Sequence, residues 1–103
     1  MVALCRAVKG TDVAARVIVG QLVRAGTSVG ANVEEAQASH GRADFANKCS
    51  IACKEARETR YWLRLLAASG IVSTGSLTDL LSECDELVAI LTTIVKKAKQ
   101  PAS

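Results

Sequence analysis

Residues 77–99 read LTDLLSECDELVAILTTIVKKAK, and this stretch decides the fold class. Its apolar side chains recur every three or four positions, a spacing that places them on one face of an α-helix. The members of this apolar face are Leu77, Leu80, Leu81, Cys84, Leu87, Val88, Leu91, Ile94, Val95 and Ala98. The last turn is rich in lysine, which suits the C-terminal end of a helix dipole. The stretch therefore predicts a long amphipathic helix.

Two further long helices are predicted upstream. Residues 43–69 are rich in strong helix formers, and Gly70 follows them where a left-handed C-terminal cap is expected. Residues 12–39 keep an apolar stripe in phase across Gly26 and Gly30, so we expect one continuous helix. These two glycines are one turn apart and predict a close approach of another backbone.

The helix lengths and short connections favour an all-α fold, an up-down antiparallel four-helix bundle in one domain over residues 1–103. The long helices are expected at 12–39, 43–69 and 77–99, and residues 1–9 form at most a short first helix. A short helix cannot cover the groove that a full one would fill. We therefore expect apolar surface to remain open and to drive self-association.

Composition narrows the class of protein. Half of the 103 residues are apolar, 22% are charged, and the net charge is +3. No apolar run reaches the roughly 18–20 residues of a membrane helix, and the first residues lack a secretory signal pattern. The sequence thus predicts a cytoplasmic protein without membrane contact. A mildly basic charge permits nucleic-acid binding without requiring it.

No pattern of an enzyme or a metal site stands out. Cys49 and Cys53 are four positions apart and could supply half of a zinc site, but the more economical interpretation is four buried thiols in a reducing compartment. The one histidine, His40, is not part of a Glu-x-x-His pair of the kind that binds metal in helical bundles. We expect no metal, no cofactor and no catalytic residue.

The basic residues of the 43–69 helix are more suggestive. Lys54, Arg57, Arg60 and Arg64 recur at spacings of three, three and four, and so lie along one side. A row of such cations can follow a phosphate backbone. The alternative is a solvated face whose charges pair with Glu58 and its neighbours.

A second set of polar residues follows the apolar faces. Its members are Arg24, Ser28, Asn32, Glu35, Lys48, Glu55 and Glu58. We interpret them as an internal network, with Arg24 or Lys48 against Glu35 or Glu55, that fixes the register of the helices. A site that contacts a ligand or a partner is the alternative.

Two runs of sequence are distinctive enough to suggest a family. Residues 21–36 read QLVRAGTSVGANVEEA, and residues 51–63 read IACKEARETRYWL after Asp44-Phe45 and Lys48. In this order they closely resemble the bacterial family of 23S rRNA intervening-sequence proteins, also called the S23 ribosomal protein family. The resemblance covers about residues 16–95.

The resemblance implies a left-handed four-helix bundle and a homopentamer, because the related accessory variability proteins of diversity-generating retroelements form five-membered rings. Those proteins are thought to bind nucleic acid and a reverse transcriptase through basic surfaces. The implied contacts here are Lys54, Arg57, Arg60 and Arg64.

The sequence thus predicts a non-enzymatic oligomer that binds nucleic acid, with RNA favoured, or a nucleoprotein partner. The alternatives are a protein–protein adaptor and a small-molecule or metal site within the bundle.

Overall fold

The described part of the chain is entirely helical. A computed structural model describes residues 13–100, which form α1 (Val13–Gln37), α2 (Arg42–Ser69) and α3 (Thr74–Lys99), with no strand among them. The prediction of an all-α protein is confirmed. The short first helix expected at residues 1–9 lies outside the described residues.

The helix α1 is continuous through its glycines because buried residues recur along one of its faces from Ala15 to Ala36, although Val13 and Val17 are exposed. Leu22 and Ala25 are fully buried and Val29 is nearly so. The predicted close approach at Gly30 is wrong for the described residues, since a Cβ built there meets no atom within 4 Å. Gly26 and Gly30 instead border an open groove.

The connection between α2 and α3 is a short turn with defined ends. Gly70 adopts the left-handed conformation, with φ of 75°, and closes α2 as its spacing predicted. The helix α3 begins at Thr74, three residues before the predicted start, and the residue before it, Ser73, has an extended backbone.

The helix α2 lies between the other two and runs antiparallel to both. One buried cluster joins Leu22 of α1 to Leu63 of α2 and Leu77 of α3. A second cluster joins Val29 to Ala56 and the other end of α3. No Cα atom of α1 lies within 8 Å of a Cα atom of α3. These two helices therefore do not pack directly against each other, and both pack on α2.

The three helices make an elongated body measuring 53 × 20 × 18 Å. The buried face of α2 around its middle contains small residues, among which Ala52 and Ala56 are fully buried. Small side chains let neighbouring helices pack closely. Within residues 13–100, no helix is long and apolar enough to cross a membrane.

Candidate nucleic-acid interface

The four predicted nucleic-acid contacts lie on α2, and the structure divides them into two pairs. Arg60 is half-buried, while Lys54, Arg57 and Arg64 are exposed. The division arises because α3 presents different residues to the two halves of this row.

The second half of the row is partly neutralised by an acid of α3. Arg60 Nη1 lies 3.4 Å from Oδ1 of Asp85, and Arg64 Nη2 lies 3.8 Å from the same oxygen. One carboxylate therefore compensates part of the charge of two guanidinium groups. The role of Asp85 could not be foreseen from the sequence, because only the packing of α3 on α2 brings it beside the arginines.

The first half of the row meets further cations instead. Lys54 and Arg57 line a cleft between α2 and α3 together with Lys96 and Lys99, and the cleft has a volume of about 290 Å³. No acidic residue lines it. We call this feature the basic cleft. It joins two lysine- and arginine-rich stretches that are about 40 residues apart in sequence.

Arg57 is held at the cleft by a hydroxyl group of α3. Its Nη2 donates to Oγ1 of Thr92 at 3.5 Å, and the Thr92 hydroxyl donates in turn to the carbonyl of Val88 at 2.7 Å. In the described chain, no ion pair joins any of the four cations of the basic cleft to an acid. Four unpaired cations around one concavity create a positive potential that attracts anions.

The third lysine of the last turn points elsewhere. Lys97 borders a shallow apolar hollow with Arg42 and Phe45. Arg42, at the start of α2, donates from Nε to the Ala98 carbonyl at 3.0 Å and from Nη2 to the Lys97 carbonyl at 3.2 Å. The Ala98 carbonyl belongs to the last turn of α3, where the helix leaves carbonyl groups without a helical partner. The Lys97 carbonyl also accepts the backbone N–H of Gln100 at 3.2 Å, so Arg42 adds a second donor there. This capping role of Arg42 was not foreseen from the sequence.

The predicted polar network forms in part. Arg24 Nη1 lies 3.2 Å from Oε2 of the buried Glu55, and Nη2 of the same guanidinium contacts Glu58. Trp62 Nε1 also donates to Glu58, at 3.3 Å. The network therefore couples α1 to α2 at mid-length and leaves the outer edge of Arg24 exposed.

Four predicted members of the network lie apart from it. Asn32 Nδ2 donates to the carbonyl and hydroxyl of Ser28, within α1. Glu35 is exposed and Lys48 is half-buried. No hydrogen bond or ion pair among residues 13–100 joins either of these two to Arg24, Glu55 or Glu58.

The cysteines of the described segment are free and buried. Burial raises the pKa of the Cys49 thiol. Burial also raises the pKa of Cys84 and is the largest effect on it. Arg60 and Arg64 lower this pKa by smaller amounts, and Asp85 raises it further. No three His, Cys, Asp or Glu side chains between residues 13 and 100 are grouped so that they could hold a metal ion. Cys5 lies outside the described residues.

An apolar groove runs between α1 and α3 and shares no lining residue with the basic cleft. It has a volume of about 320 Å³, its floor includes Leu63 of α2, and Leu80 and Leu87 form its α3 wall. Val29 contributes to the α1 wall. This is the side of the bundle where α1 and α3 do not meet.

The chain is similar to known proteins over most of this helical body. A family model described as 23S rRNA-intervening sequence protein matches residues 6–93. The chain belongs to that family. A crystal structure of a protein of unknown function from the S23 ribosomal protein family of Bacteroides thetaiotaomicron is 41% identical, with a TM-score of 0.74 over 78% of this chain and 74% of that chain. Among curated proteins no match is found.

Membership confirms the resemblance carried by residues 21–36 and 51–63. The family match includes Lys54 and Arg57 but ends at residue 93. Lys96 and Lys99 lie beyond it. Half of the charge of the basic cleft is therefore contributed by a stretch of this chain outside the matched region.

Proposed function

We propose that this protein is a non-enzymatic, oligomeric helical bundle of the cytoplasm that binds nucleic acid, RNA in the first place, or a nucleoprotein partner. The basic face of α2 makes the contact. The observation that carries the proposal is the basic cleft, where Lys54 and Arg57 meet Lys96 and Lys99 with no acid beside them. Binding to phosphates by such cations is favourable because it releases the counterions condensed on the nucleic acid.

The absence of catalytic chemistry is part of the proposal. The one histidine of the sequence, His40, is exposed in the turn between α1 and α2. The buried thiols of Cys49 and Cys84 have raised pKa values, which disfavours the thiolate that a nucleophilic cysteine requires. We therefore assign the protein a binding role.

The complete fold is proposed to be a four-helix bundle with a short first helix. The apolar groove between α1 and α3 supports this, because a helix packed there would complete the ring of four around the core. A segment as short as residues 1–9 would cover only part of that length. We propose that association of several copies, five by analogy with relatives, covers the remainder.

The experiment is an absolute mass determination by light scattering, with the ratio of absorbance at 260 and 280 nm recorded on the same peak. We expect a mass five times the chain mass of 10.8 kDa, together with excess absorbance at 260 nm from nucleic acid that is retained at low salt. A peak with the mass of one chain would overturn the proposal that the protein is an oligomer.

The same preparation separates nucleic-acid binding from the adaptor role. Treatment with nuclease should release the absorbing material and any protein that is held through it. A protein partner that stays bound after nuclease treatment, with no RNA or DNA retained at low salt, would overturn nucleic-acid binding. It would favour an adaptor whose basic cleft meets an acidic partner.

A further inference from the structure

The size of the basic cleft limits what it can hold. Its volume of about 290 Å³ is at the lower end of pockets that take drug-sized molecules, which begin at roughly 300 Å³. Val95 and Cys53 are the only apolar side chains in its lining. A small anion with several acceptor oxygens fits this combination of volume and charge better than a nucleobase, which needs a flat apolar or aromatic surface.

The cations approach the cleft from two helices. Lys54 and Arg57 are one turn apart on α2, and Lys96 and Lys99 are one turn apart on α3. The Thr92 hydroxyl accepts a long hydrogen bond of 3.5 Å from Arg57 at this position. An anion between the two helices can therefore be contacted by cations from both of them, and hydrogen bonds from charged donors to a phosphate are the stronger kind.

The wall of the cleft also contains an unsatisfied hydroxyl group. Ser50 lines the cleft, and its Oγ atom is buried and has no hydrogen-bond partner among the described residues. A buried hydroxyl without a partner is costly and rare in folded proteins. An acceptor oxygen entering the cleft would remove this cost, and this second observation is independent of the lysines and the arginine.

We propose that the basic cleft is a phosphate-binding site that seats one phosphodiester group of a nucleic-acid backbone. That the phosphate belongs to a nucleic acid rests on the proposed function. That the cleft binds a phosphate group rests on the residues of the cleft alone. Ser50 donates a hydrogen bond to a phosphate oxygen, and the four cations of the cleft compensate its charge.

The test is a nuclear magnetic resonance titration of the whole protein, labelled with ¹⁵N, at low salt. One arm uses inorganic phosphate, and the other a short single-stranded RNA without terminal phosphates. We expect both to shift the amide signals around Ser50, Thr92 and Lys96. The titration with RNA tests whether the cleft binds a phosphodiester group. The titration with inorganic phosphate tests whether it binds phosphate without a nucleic acid.

Two neighbouring lysines provide a matched pair of variants. Lys96→Gln removes a cation of the cleft, whereas Lys97→Gln removes the same charge one residue away, beside Arg42. We expect Lys96→Gln to weaken the binding of both ligands about three- to fivefold, the upper part of the range for losing one solvent-exposed charge pair. Lys97→Gln should stay within about twofold. Ser50→Ala should weaken inorganic phosphate with no change of charge.

The outcomes separate the two proposals. Equal weakening by the two lysine variants would overturn the cleft as a site while leaving general RNA binding in place. Phosphate binding sensitive to Lys96→Gln, without RNA binding, would support the phosphate site and overturn its assignment to nucleic acid. No localised shift with either ligand would overturn the inference.

Discussion

Nη1 of Arg60 on α2 lies 3.4 Å from Oδ1 of Asp85 on α3, and this ion pair divides the basic row of α2. On one side of it, Arg60 and Arg64 share the carboxylate of Asp85. On the other side, Lys54 and Arg57 join two lysines of α3 in the basic cleft. Lys54 and Arg57, the half of the row that lines the cleft, are therefore the cations that are free to attract an anion.

Removing Asp85 should strengthen nucleic-acid binding. In Asp85→Asn the side chain keeps its size and loses its charge, so Arg60 and Arg64 become available to phosphates. We expect affinity for single-stranded RNA at low salt to rise about two- to fivefold, measured by fluorescence anisotropy, as expected for a modest change in surface charge.

The control for this variant is Glu86→Gln, which removes the same charge at the next position of α3, where no ion pair is formed within the described chain. It should raise the affinity less than Asp85→Asn does. If the two variants raise the affinity equally, the ion pair has no specific role.

The contact between Arg24 and Glu55 should contribute to stability. Replacing Arg24 by Gln leaves the buried Glu55 carboxylate beside Glu58 without its cation. The destabilisation expected for breaking a fully buried pair is reduced here because the Arg24 side chain is 48% exposed, so we expect about 1–3 kcal/mol in urea unfolding.

The double variant Arg24→Gln, Glu55→Gln should recover part of this stability, since no uncompensated charge remains at Glu55. Arg16→Gln, at an exposed position of α1, should change stability by less than about 0.5 kcal/mol. An Arg24→Gln protein as stable as the wild type would show that the network has no energetic role.

The cap that Arg42 provides should be measurable as a change in melting temperature. Arg42→Ala removes the hydrogen bonds to the Ala98 and Lys97 carbonyls and should cost about 1 kcal/mol. For a chain of this size, that corresponds to a fall of about 4–8 °C in Tm. Arg42→Lys keeps the positive charge but lacks the guanidinium group that reaches two carbonyl oxygens at once. We expect this variant to be more stable than Arg42→Ala and less stable than the wild type.

The buried thiols predict how stability changes at alkaline pH. Burial raises the pKa of Cys49 and Cys84 above the ordinary value of 9.0, so the unfolded chain loses these protons first as the pH rises. The contribution of the thiols to the free energy of unfolding is fully present below the ordinary thiol pKa. It is lost as the pH rises through the pKa values of the folded state. The free energy of unfolding should therefore decline above about pH 9.

A variant with Cys49→Ala and Cys84→Ala isolates this effect from the titration of lysines. Its free energy of unfolding should fall less steeply between neutral pH and pH 10 than that of the wild type. An identical slope in both proteins would contradict the assignment of the decline to the thiols.

The helices could be predicted from the sequence because their signals are local. The apolar spacing of residues 77–99 and the cap at Gly70 each depend on a few adjacent residues, and the structure follows both. The close approach expected at Gly30 is not made by any residue between 13 and 100, because it depends on a neighbour that spacing within one helix does not specify.

The candidate site was only partly predictable for the same reason. The row on α2 is visible as a helical repeat, but its division depends on the register of α3. That register places Thr92 against Arg57 and Asp85 against Arg60. Antiparallel pairing across the short turn after Gly70 is the signal that could have aligned Lys96 with the row.

The most direct measurement is the salt dependence of affinity for a labelled single-stranded RNA, compared between two double variants of equal charge. We predict that Lys54→Gln, Arg57→Gln weakens binding more than Arg60→Gln, Arg64→Gln does. It should also reduce the slope of log affinity against log salt by about 0.7 for each phosphate that the variant no longer neutralises. A wild-type protein that binds no RNA at low salt, or two variants equally impaired, would contradict the account.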